Sequence, residues 1–500
     1  MRQWMIPLEG KSKIPMYQQI CGYFKKEIQN GRMKAGEKLP SSRLLAKNLC
    51  VSRSTVDLAY DQLLSEGYVE SWPCKGYYVC DIQGLYFMPE STPEEEKKAG
   101  TEDKGKENSR EKAEKKGLEN RDGKELPKGG EKEKRKLIDF ALNGIAPGGF
   151  PHPVWKKLAR QVLSQEEEDL FSLGDSCGEP GIRQAVAEYL YQARGVQCSP
   201  GQIVIGAGND YLLLLLGTIL GRNRKIAMES PTYLSAYYDF LHMGYQIEAV
   251  GQDMQGISVK ELQACQADTV YVMPSHQFPM GMVMPLKRRT ALLSWANEKE
   301  GRYIIEDDYD SEFRYKGLPI PALQGFDRQG KVIYLGTFSK SLAPSVRISY
   351  MVLPGELMER YLSQGHPFSV TVSKTDQKIV ELFMREGHFE RHLNRMRAVY
   401  KGKHDLMVKG LRQMSHICTY AGENAGVHMA LEFVNGLTEC QAVERAEKAG
   451  IQVYGLSQYQ ILEKEKNQEK NRETVLLGYA TLRDEEIEQG LEMLKNLWEK

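Results

Sequence analysis

Between Ser91 and Lys136 the chain runs through 46 residues dominated by Glu, Lys and Gly, and its apolar members are Ala99, Ala113, Leu118 and Leu126 alone. A stretch so poor in apolar side chains cannot bury enough surface to offset the entropy of ordering its backbone. Its Glu and Lys residues support a transient helix at only ~0.2–0.5 kcal/mol per i,i+4 pair, and glycines and prolines interrupt it. The segment therefore predicts a flexible charged spacer. The chain must then fold as separate bodies, each with its own core: a compact block over 1–85, a linker over 86–136, and a large block over 137–500.

That division changes the meaning of the overall charge. The 67 basic and 67 acidic residues cancel, which taken alone argues against a nucleic-acid binder. Counted by segment, however, residues 1–85 hold 12 basic and 8 acidic side chains, a net +4, residues 91–136 are at +2 and residues 137–500 at −5. If a block at only +4 were to bind a nucleic acid, one copy would bind modestly, and a dimer engaging two half-sites would be favoured. The longest apolar run, Tyr211 to Leu220, contains Gly217 and Thr218 and falls short of the ~18 residues of a membrane span. No apolar leader follows Met1-Arg2-Gln3-Trp4, so the expected location is cytoplasmic with no membrane contact. Nine scattered cysteines without a C-x-x-C pair do not form a disulfide or zinc framework.

In the first block, Tyr17, Ile20, Phe24 and Ile28 fall on one face of a helix over 16–30, and Gly31 is placed to end it. Ser41 can cap a second helix through Leu49, and Ser52 a third that runs to Glu66 and closes at Gly67. Two short helices joined by a tight turn, with Arg53, Ser54 and Thr55 opening the second, match a helix-turn-helix. Tyr68 to Val79 then alternates like a two-stranded wing. The runs Pro15-Met-Tyr-Gln-Gln-Ile, Gly36-Glu-Lys-Leu-Pro-Ser-Ser-Arg43, Val51-Ser-Arg-Ser-Thr-Val56, Glu66-Gly-Tyr68 and Lys75-Gly-Tyr-Tyr-Val79 resemble the GntR-type winged helix-turn-helix. The resemblance implies that Arg43, Ser52, Arg53, Ser54 and Thr55 face double-stranded operator DNA, with Lys75 and Gly76 on the wing. Arg53 could fork onto a guanine or clamp a phosphate. Asp57 stands where some relatives carry an Arg toward DNA, so that position is expected to add nothing favourable.

In the large block, short β-branched runs at 202–208, 225–230, 269–275, 302–308 and 332–337 alternate with helical stretches. This pattern predicts βα units, a mostly parallel sheet and an α/β fold. From about Met407 a smaller α+β unit is expected. Within Tyr334-Leu-Gly-Thr-Phe-Ser-Lys-Ser-Leu-Ala-Pro-Ser-Val-Arg347, Lys340 lies in a polar turn after a strand. An imine-forming lysine needs an environment that holds its amine unprotonated and a grip for a cofactor phosphate, which Arg347, Ser339 and Thr337 can supply. In Ile305-Glu-Asp-Asp-Tyr309 we assign Asp307 to a protonated pyridine nitrogen and Tyr309 to the 3-oxygen of pyridoxal 5'-phosphate. A metal cluster of Glu306, Asp308 and Asp310 is the alternative, and no metal is expected. Gly206-Ala-Gly-Asn-Asp210 joins a strand to a helix N-terminus, a ready phosphate site. In Pro231-Thr-Tyr233 the tyrosine ring could stack on the pyridine.

Taken in order, with Ser275-His-Gln-Phe-Pro-Met-Gly281, Gly178-Glu-Pro-Gly-Ile-Arg183 and Phe389-Glu-Arg-His-Leu-Asn-Arg-Met-Arg397, these motifs resemble a fold-type I aminotransferase domain. Behind a GntR-type reader they resemble the MocR subfamily of transcriptional regulators. That resemblance implies that Lys340 carries the cofactor, Asp307 meets the ring nitrogen, Tyr309 the 3-oxygen, Tyr233 the ring face, and Gly208, Asn209, Ser339 and Arg347 the phosphate. It also implies a homodimer.

Three positions depart from the family pattern. Phe278 occupies the slot where aminotransferases place an Asn against the 3-oxygen, so Tyr309, helped by His276 or Gln277, must serve. His276 itself reads as a loop histidine satisfied by backbone. Ser235 stands where amino-acid-sensing members carry an Arg, and Leu476 where substrate-binding members carry the carboxylate Arg. The expected function is a transcriptional regulator responding to pyridoxal 5'-phosphate or to an amine or amino-acid effector. The alternative is a working aminotransferase with an accessory DNA-binding domain.

Overall fold

The structure is a computed structural model and describes residue 6 and residues 15–29, 32–49, 51–72, 76–80, 138–164, 168–315, 320–363, 368–461 and 473–499. The stretch read as a charged linker lies outside the described residues, and so does Lys75.

The N-terminal block comprises α1 (Met16–Gln29), α2 (Ser42–Leu49) and α3 (Arg53–Ser65), followed by the antiparallel pair β1 (Val69–Trp72) and β2 (Gly76–Val79). On α1 the buried Ile20, Phe24 and Ile28 recur every fourth residue, and they meet Leu45, Val56, Ala59, Tyr60, Leu63 and Val79. The Ser41 hydroxyl accepts from the Leu44 amide at 3.3 Å, and Ser52 Oγ from the Thr55 amide at 3.1 Å. Each satisfies a donor that the helix start leaves over. Leu286 of the large block is buried in this same core. A Cβ on Gly67, whose φ is +77°, would stand 2.7 Å from the Leu286 nitrogen. Glycine is thus what lets the two backbones approach.

The large block begins with β3 (Ile138–Asp139), α4 (His152–Ser164) and α5 (Pro180–Arg194). Then come β4 (Ile203–Gly206), α6 (Asn209–Leu220), β5 (Lys225–Ser230), α7 (Leu234–His242), β6 (Gln246–Asp253), β7 (Gly256–Ile257), α8 (Val259–Ala264) and β8 (Thr269–Val272). They are followed by α9 (Leu286–Asn297), β9 (Tyr303–Asp308), β10 (Val332–Thr337), β11 (Ser349–Val352), α10 (Gly355–Ser363) and α11 (Lys374–Arg385). Among the described residues these strands form a sheet in the order β4-β11-β10-β9-β8-β5-β6-β7. The neighbours from β10 to β6 pair in parallel, and β11 runs antiparallel to both β10 and β4. Helices cover both faces. Val204, Met228, Tyr271, Ile305 and Leu335 pack with Leu212, Leu216 and Leu357, while Ile203, Ile205, Tyr334 and Tyr350 pack with Ile182, Val186, Val380 and Phe383. Burial on both faces explains why these strands read as continuous apolar runs.

The C-terminal unit has α12 (His388–Arg412), β12 (Cys418–Ala421), β13 (His428–Phe433), α13 (Glu439–Lys448), β14 (Ile451–Gln452), β15 (Tyr454–Gly455), β16 (Thr474–Gly478) and α14 (Asp484–Trp498). Its antiparallel sheet runs β12-β13-β16-β15, and β14 pairs in parallel with β3. The unit was expected from about Met407, yet its first helix starts at His388. The reason is a single apolar stripe along α12 that serves two cores. Phe389 and Leu393 belong to the large-domain core, whereas Met396, Tyr400, Met407 and Leu411 belong to the C-terminal one. Among the described residues no helix is long and apolar enough to cross a membrane.

Candidate functional site

Parallel pairing aligns the C-terminal ends of the central strands, and a cleft outside those ends is where α/β sheets bind ligands. There a cavity of about 260 Å³ is lined by Asn209, Tyr233, Phe278, Asp307, Tyr309, Thr337, Ser339, Lys340 and Arg347, together with Asn143, Asp210, Met273 and Pro344. Eight of the nine side chains proposed from sequence for cofactor contact line it. The ninth residue, Gly208, borders it as the N-cap of α6.

Along β9 successive residues point to opposite faces, and the acidic run divides accordingly. Asp308 turns to the α5 side, accepting from Arg194 Nε at 2.7 Å and from the Tyr334 hydroxyl at 2.7 Å. Glu306 accepts from the Leu323 and Gln324 amides, both at 2.8 Å. These two carboxylates are thus spent on the fold, and among the described residues no group of three His, Cys, Asp or Glu side chains is placed to hold a metal ion. Asp307 faces the cavity. It accepts from the Tyr271 hydroxyl at 2.5 Å and from Asn209 Nδ2 at 3.4 Å. Tyr271 stands opposite Ile305 in the β8–β9 register, two residues before Asp307 on the same face. Burial pushes the Asp307 carboxyl up to about 7, against the pull of the Tyr271 hydrogen bond.

Lys340 follows β10 and donates to the Leu142 carbonyl at 3.0 Å and to Asn143 Oδ1 at 3.1 Å. Burial lowers its amine to about 8, with the charge of Asp310 opposing. At the other end of the cavity, α6 presents its amide N-terminus behind Gly208, whose φ is +94°. A Cβ there would stand 2.2 Å from Arg347 Nη2, so only glycine lets the guanidinium lie across the helix end. Arg347 itself has φ 51°, a left-handed conformation rare outside glycine. It donates to Asp210 Oδ2 at 3.0 Å and to the Ala207 carbonyl at 3.3 Å. The Ser339 amide donates to Thr337 Oγ1 at 3.1 Å, which fixes the turn that carries Lys340.

The Tyr233 and Phe278 rings meet edge to face, with centroids 5.7 Å apart. His276 departs from the sequence reading: instead of backbone, its Nδ1 meets Asp310 Oδ2 at 2.8 Å and the Tyr309 hydroxyl at 2.9 Å. It is His428 that meets a backbone carbonyl of this loop, with its Nε2 2.9 Å from the Pro279 oxygen. Tyr271 and Asn143 were missed from sequence. Tyr271 reads as an ordinary strand residue, and Asn143 lies 197 residues from Lys340, with no local pattern to mark it.

On the reader, Arg43, Ser52, Arg53 and Ser54 are exposed and Thr55 is half-buried. Arg53 Nε lies 3.4 Å from Asp57 Oδ2 across one helical turn. Gly76, with φ +101°, opens the second wing strand.

Two family models match separate parts of the chain. Residues 16–79 match the bacterial regulatory proteins of the gntR family, and residues 135–491 match aminotransferase class I and II. The chain is 36% identical over 491 residues to the uncharacterized HTH-type transcriptional regulator YdeL of Bacillus subtilis, covering 97% of each protein. It is 29% identical over 501 residues to the probable rhizopine catabolism regulatory protein MocR of Rhizobium meliloti, covering 98% of this chain and 95% of that one. Among solved structures, an archaeal alanine:glyoxylate aminotransferase superposes with a TM-score of 0.66 at 28% identity, covering 73% of this chain and 92% of that one. With a gntR-family match ahead of an aminotransferase class I and II match, and likeness over nearly the full length to proteins named as regulators, this chain belongs to the MocR subfamily of GntR-type transcriptional regulators.

Proposed function

We propose that this regulator holds pyridoxal 5'-phosphate in the cavity at the strand ends, and that occupancy of this site, by the cofactor or by an amine or amino acid reacting with it, alters how a homodimer binds operator DNA. The observation that carries the reading is the cavity itself. It brings together a lysine amine lowered to about 8, a buried carboxyl opposite it, a tyrosine hydroxyl, and a helix N-terminus crossed by an arginine. When bound, the cofactor supplies a carbonyl that condenses with amines and a ring that withdraws electrons.

The residues present fit that group. Arg347 and the α6 amides suit a phosphate, and the missing Cβ at Gly208 is what lets the Arg347 guanidinium lie at that helix end. Asp307 suits a protonated ring nitrogen, whose charge would favour the ionised carboxyl that burial disfavours. Tyr271 and Asn209 hold that carboxyl in place. Lys340 can serve as the amine nucleophile, since burial leaves a larger share of it unprotonated. Tyr309 is half-buried, and burial and the charge of Asp310 hold its phenol well above the ordinary value, so it stays a donor for the 3-oxygen. Arg43, Ser52, Arg53, Ser54, Thr55, Gly76 and Lys75 are assigned to DNA.

The second reading, a working aminotransferase, meets a specific obstacle at the carboxylate-binding positions. Leu476 is fully buried in the large-domain core and Ser235 supplies no charge, so no bidentate clamp is available there. DNA binding to the promoter of its own gene, titrated with and without pyridoxal 5'-phosphate, tests the proposal. A change in affinity or footprint on adding the cofactor is expected. No binding in either state, or identical binding in both, would overturn it. Robust turnover of amino donors with keto acids would favour the enzyme instead.

A further inference from the structure

Tyr309 does not stand alone at the cavity wall. His276 Nδ1 lies 2.9 Å from its hydroxyl and 2.8 Å from Asp310 Oδ2, and the imidazole and the carboxylate are both essentially inaccessible. An ionised carboxylate only accepts, so the hydrogen belongs on His276 Nδ1 and is directed to Asp310. The Tyr309 oxygen then meets an N–H rather than a lone pair, so its own proton finds no acceptor on the ring and turns toward the cavity. Among the described residues the other ring nitrogen, Nε2, is buried without a partner, and none of them offers a competing bond that would pull the imidazole into the opposite tautomer.

The ring plane is fixed as well. A Cβ on Gly426 would lie 1.9 Å from His276 Cε1, and one on Gly281 would lie 3.3 Å from Nε2. The imidazole thus sits in a slot between two glycines with positive φ, one in the 275–281 loop and one just ahead of β13. The titratable groups around it are Asp310 and Tyr309 after β9, His428 on β13 with ring centroids 5.0 Å apart, and Lys340 across the cavity. Burial holds His428 neutral, and its Nε2 is engaged by the Pro279 carbonyl, which leaves Asp310 as the partner that orients His276.

We infer that His276 is a positioning residue. Held by Asp310 and clamped by Gly426 and Gly281, it aims the Tyr309 hydroxyl at the cofactor's 3-oxygen and does the work of the asparagine that Phe278 replaces. The inference rests on the cofactor reading above. A donor at the 3-oxygen withdraws electron density from the atom that shares a proton with the lysine nitrogen, so losing it makes that proton harder to remove. The readout is the pH midpoint of the bound cofactor's visible absorbance, measured on the full-length protein loaded with pyridoxal 5'-phosphate.

Tyr309→Phe should raise the midpoint by about one pH unit, the scale of a hydrogen bond to a charged group. His276→Leu should raise it by a similar amount. His276→Asn, whose side-chain amide can place a donor where Nδ1 stands, should stay within about 0.3 unit of wild type. The double variant with Tyr309→Phe should move no further than Tyr309→Phe alone. A midpoint unmoved in His276→Leu while Tyr309→Phe shifts would overturn the inference, as would equal shifts in His276→Leu and His276→Asn. A wild-type protein with no visible band would instead sink the cofactor reading itself.

Discussion

Burial lowers the Lys340 amine from its ordinary 10.5 to about 8, and this fixes how cofactor capture must depend on pH. At pH 7 a group titrating at about 8 is unprotonated in roughly one molecule in ten, against about one in 3,000 for an ordinary lysine, a gain of roughly 300-fold in the reactive form. Mixing the protein, stripped of cofactor, with excess pyridoxal 5'-phosphate and following the visible absorbance gives an association rate at each pH. That rate should climb about tenfold per unit below pH 8 and then flatten. From pH 8.5 to 10 it should rise by only about 1.3-fold, whereas an unperturbed lysine would give about 25-fold. Staying above pH 7 keeps the phosphate, which titrates near ~6, out of the profile, and Lys340→Ala supplies the blank. Asp310 carries the charge that opposes the shift, so Asp310→Asn should move the bend to lower pH. A wild-type rate that kept climbing through pH 10 would refute the argument that this pocket activates its lysine.

Gly208→Ala places a Cβ 2.2 Å from Arg347 Nη2 at a residue with φ +94°. A displaced guanidinium, losing a charge-assisted phosphate contact worth about 1.5–3 kcal/mol, should raise the cofactor Kd by at least ~10-fold, and equilibrium dialysis giving an affinity within twofold of wild type would place the phosphate elsewhere. Burial raises the Asp307 carboxyl from 3.8 to about 7, so between those values the folded chain binds more protons than the unfolded one. The stability this confers is complete below about pH 4 and lost as pH rises through about 7. Asp307→Asn should therefore remove about 2.6 kcal/mol of the decline between pH 5 and pH 8 in denaturant unfolding of the cofactor-free protein. On the reader, Arg53 is shared with Asp57 at 3.4 Å across one helical turn. Asp57→Ala should tighten operator binding about 2–5-fold in an anisotropy titration by freeing the arginine, while Arg53→Ala should weaken it by about 1–3 kcal/mol.

The parts of the site legible in sequence are those whose chemistry and local geometry coincide. Lys340 and Arg347 lie on one turn after a strand, Gly208 and Asn209 on a helix start, and Asp307 and Tyr309 at one strand end, so short spacing alone implies a shared neighbourhood. Tyr271 reaches Asp307 only because β8 and β9 pair in a particular register, which no single strand states. Asn143 meets Lys340 across 197 residues, and Gly426 meets His276 because the C-terminal sheet folds back over the 275–281 loop. The reader's helices were legible to within a residue or two, since their caps and apolar stripes are local. The contact of Gly67 with Leu286 was not, because nothing in either segment names the other. Where the sequence misled, at the start of the C-terminal unit, one uninterrupted amphipathic helix hid the passage from one core to the next.

That helix bears on how occupancy could reach the reader. Moving a two-state equilibrium from 1:99 to 99:1 takes about 5.5 kcal/mol of differential affinity, so the ligand must make contacts in one arrangement that it lacks in the other. Phe389 and Leu393 fix the start of α12 in the large-domain core and Met396 to Leu411 fix the rest in the C-terminal core, so the C-terminal unit cannot shift without repacking one of them. The C-terminal unit touches the cavity through Gly426, which holds the His276 ring, and His428, which holds the Pro279 carbonyl. A ligand engaging Tyr309 therefore acts on a hydrogen-bonded group whose geometry the C-terminal unit sets, and displacement of that unit changes the donor the ligand meets. One hydroxyl and its supports supply about 1.5–3 kcal/mol of that difference, so further contacts must supply the rest, and Gly426→Ala, which would drive a Cβ into the imidazole, should uncouple cofactor binding from DNA binding before it abolishes either.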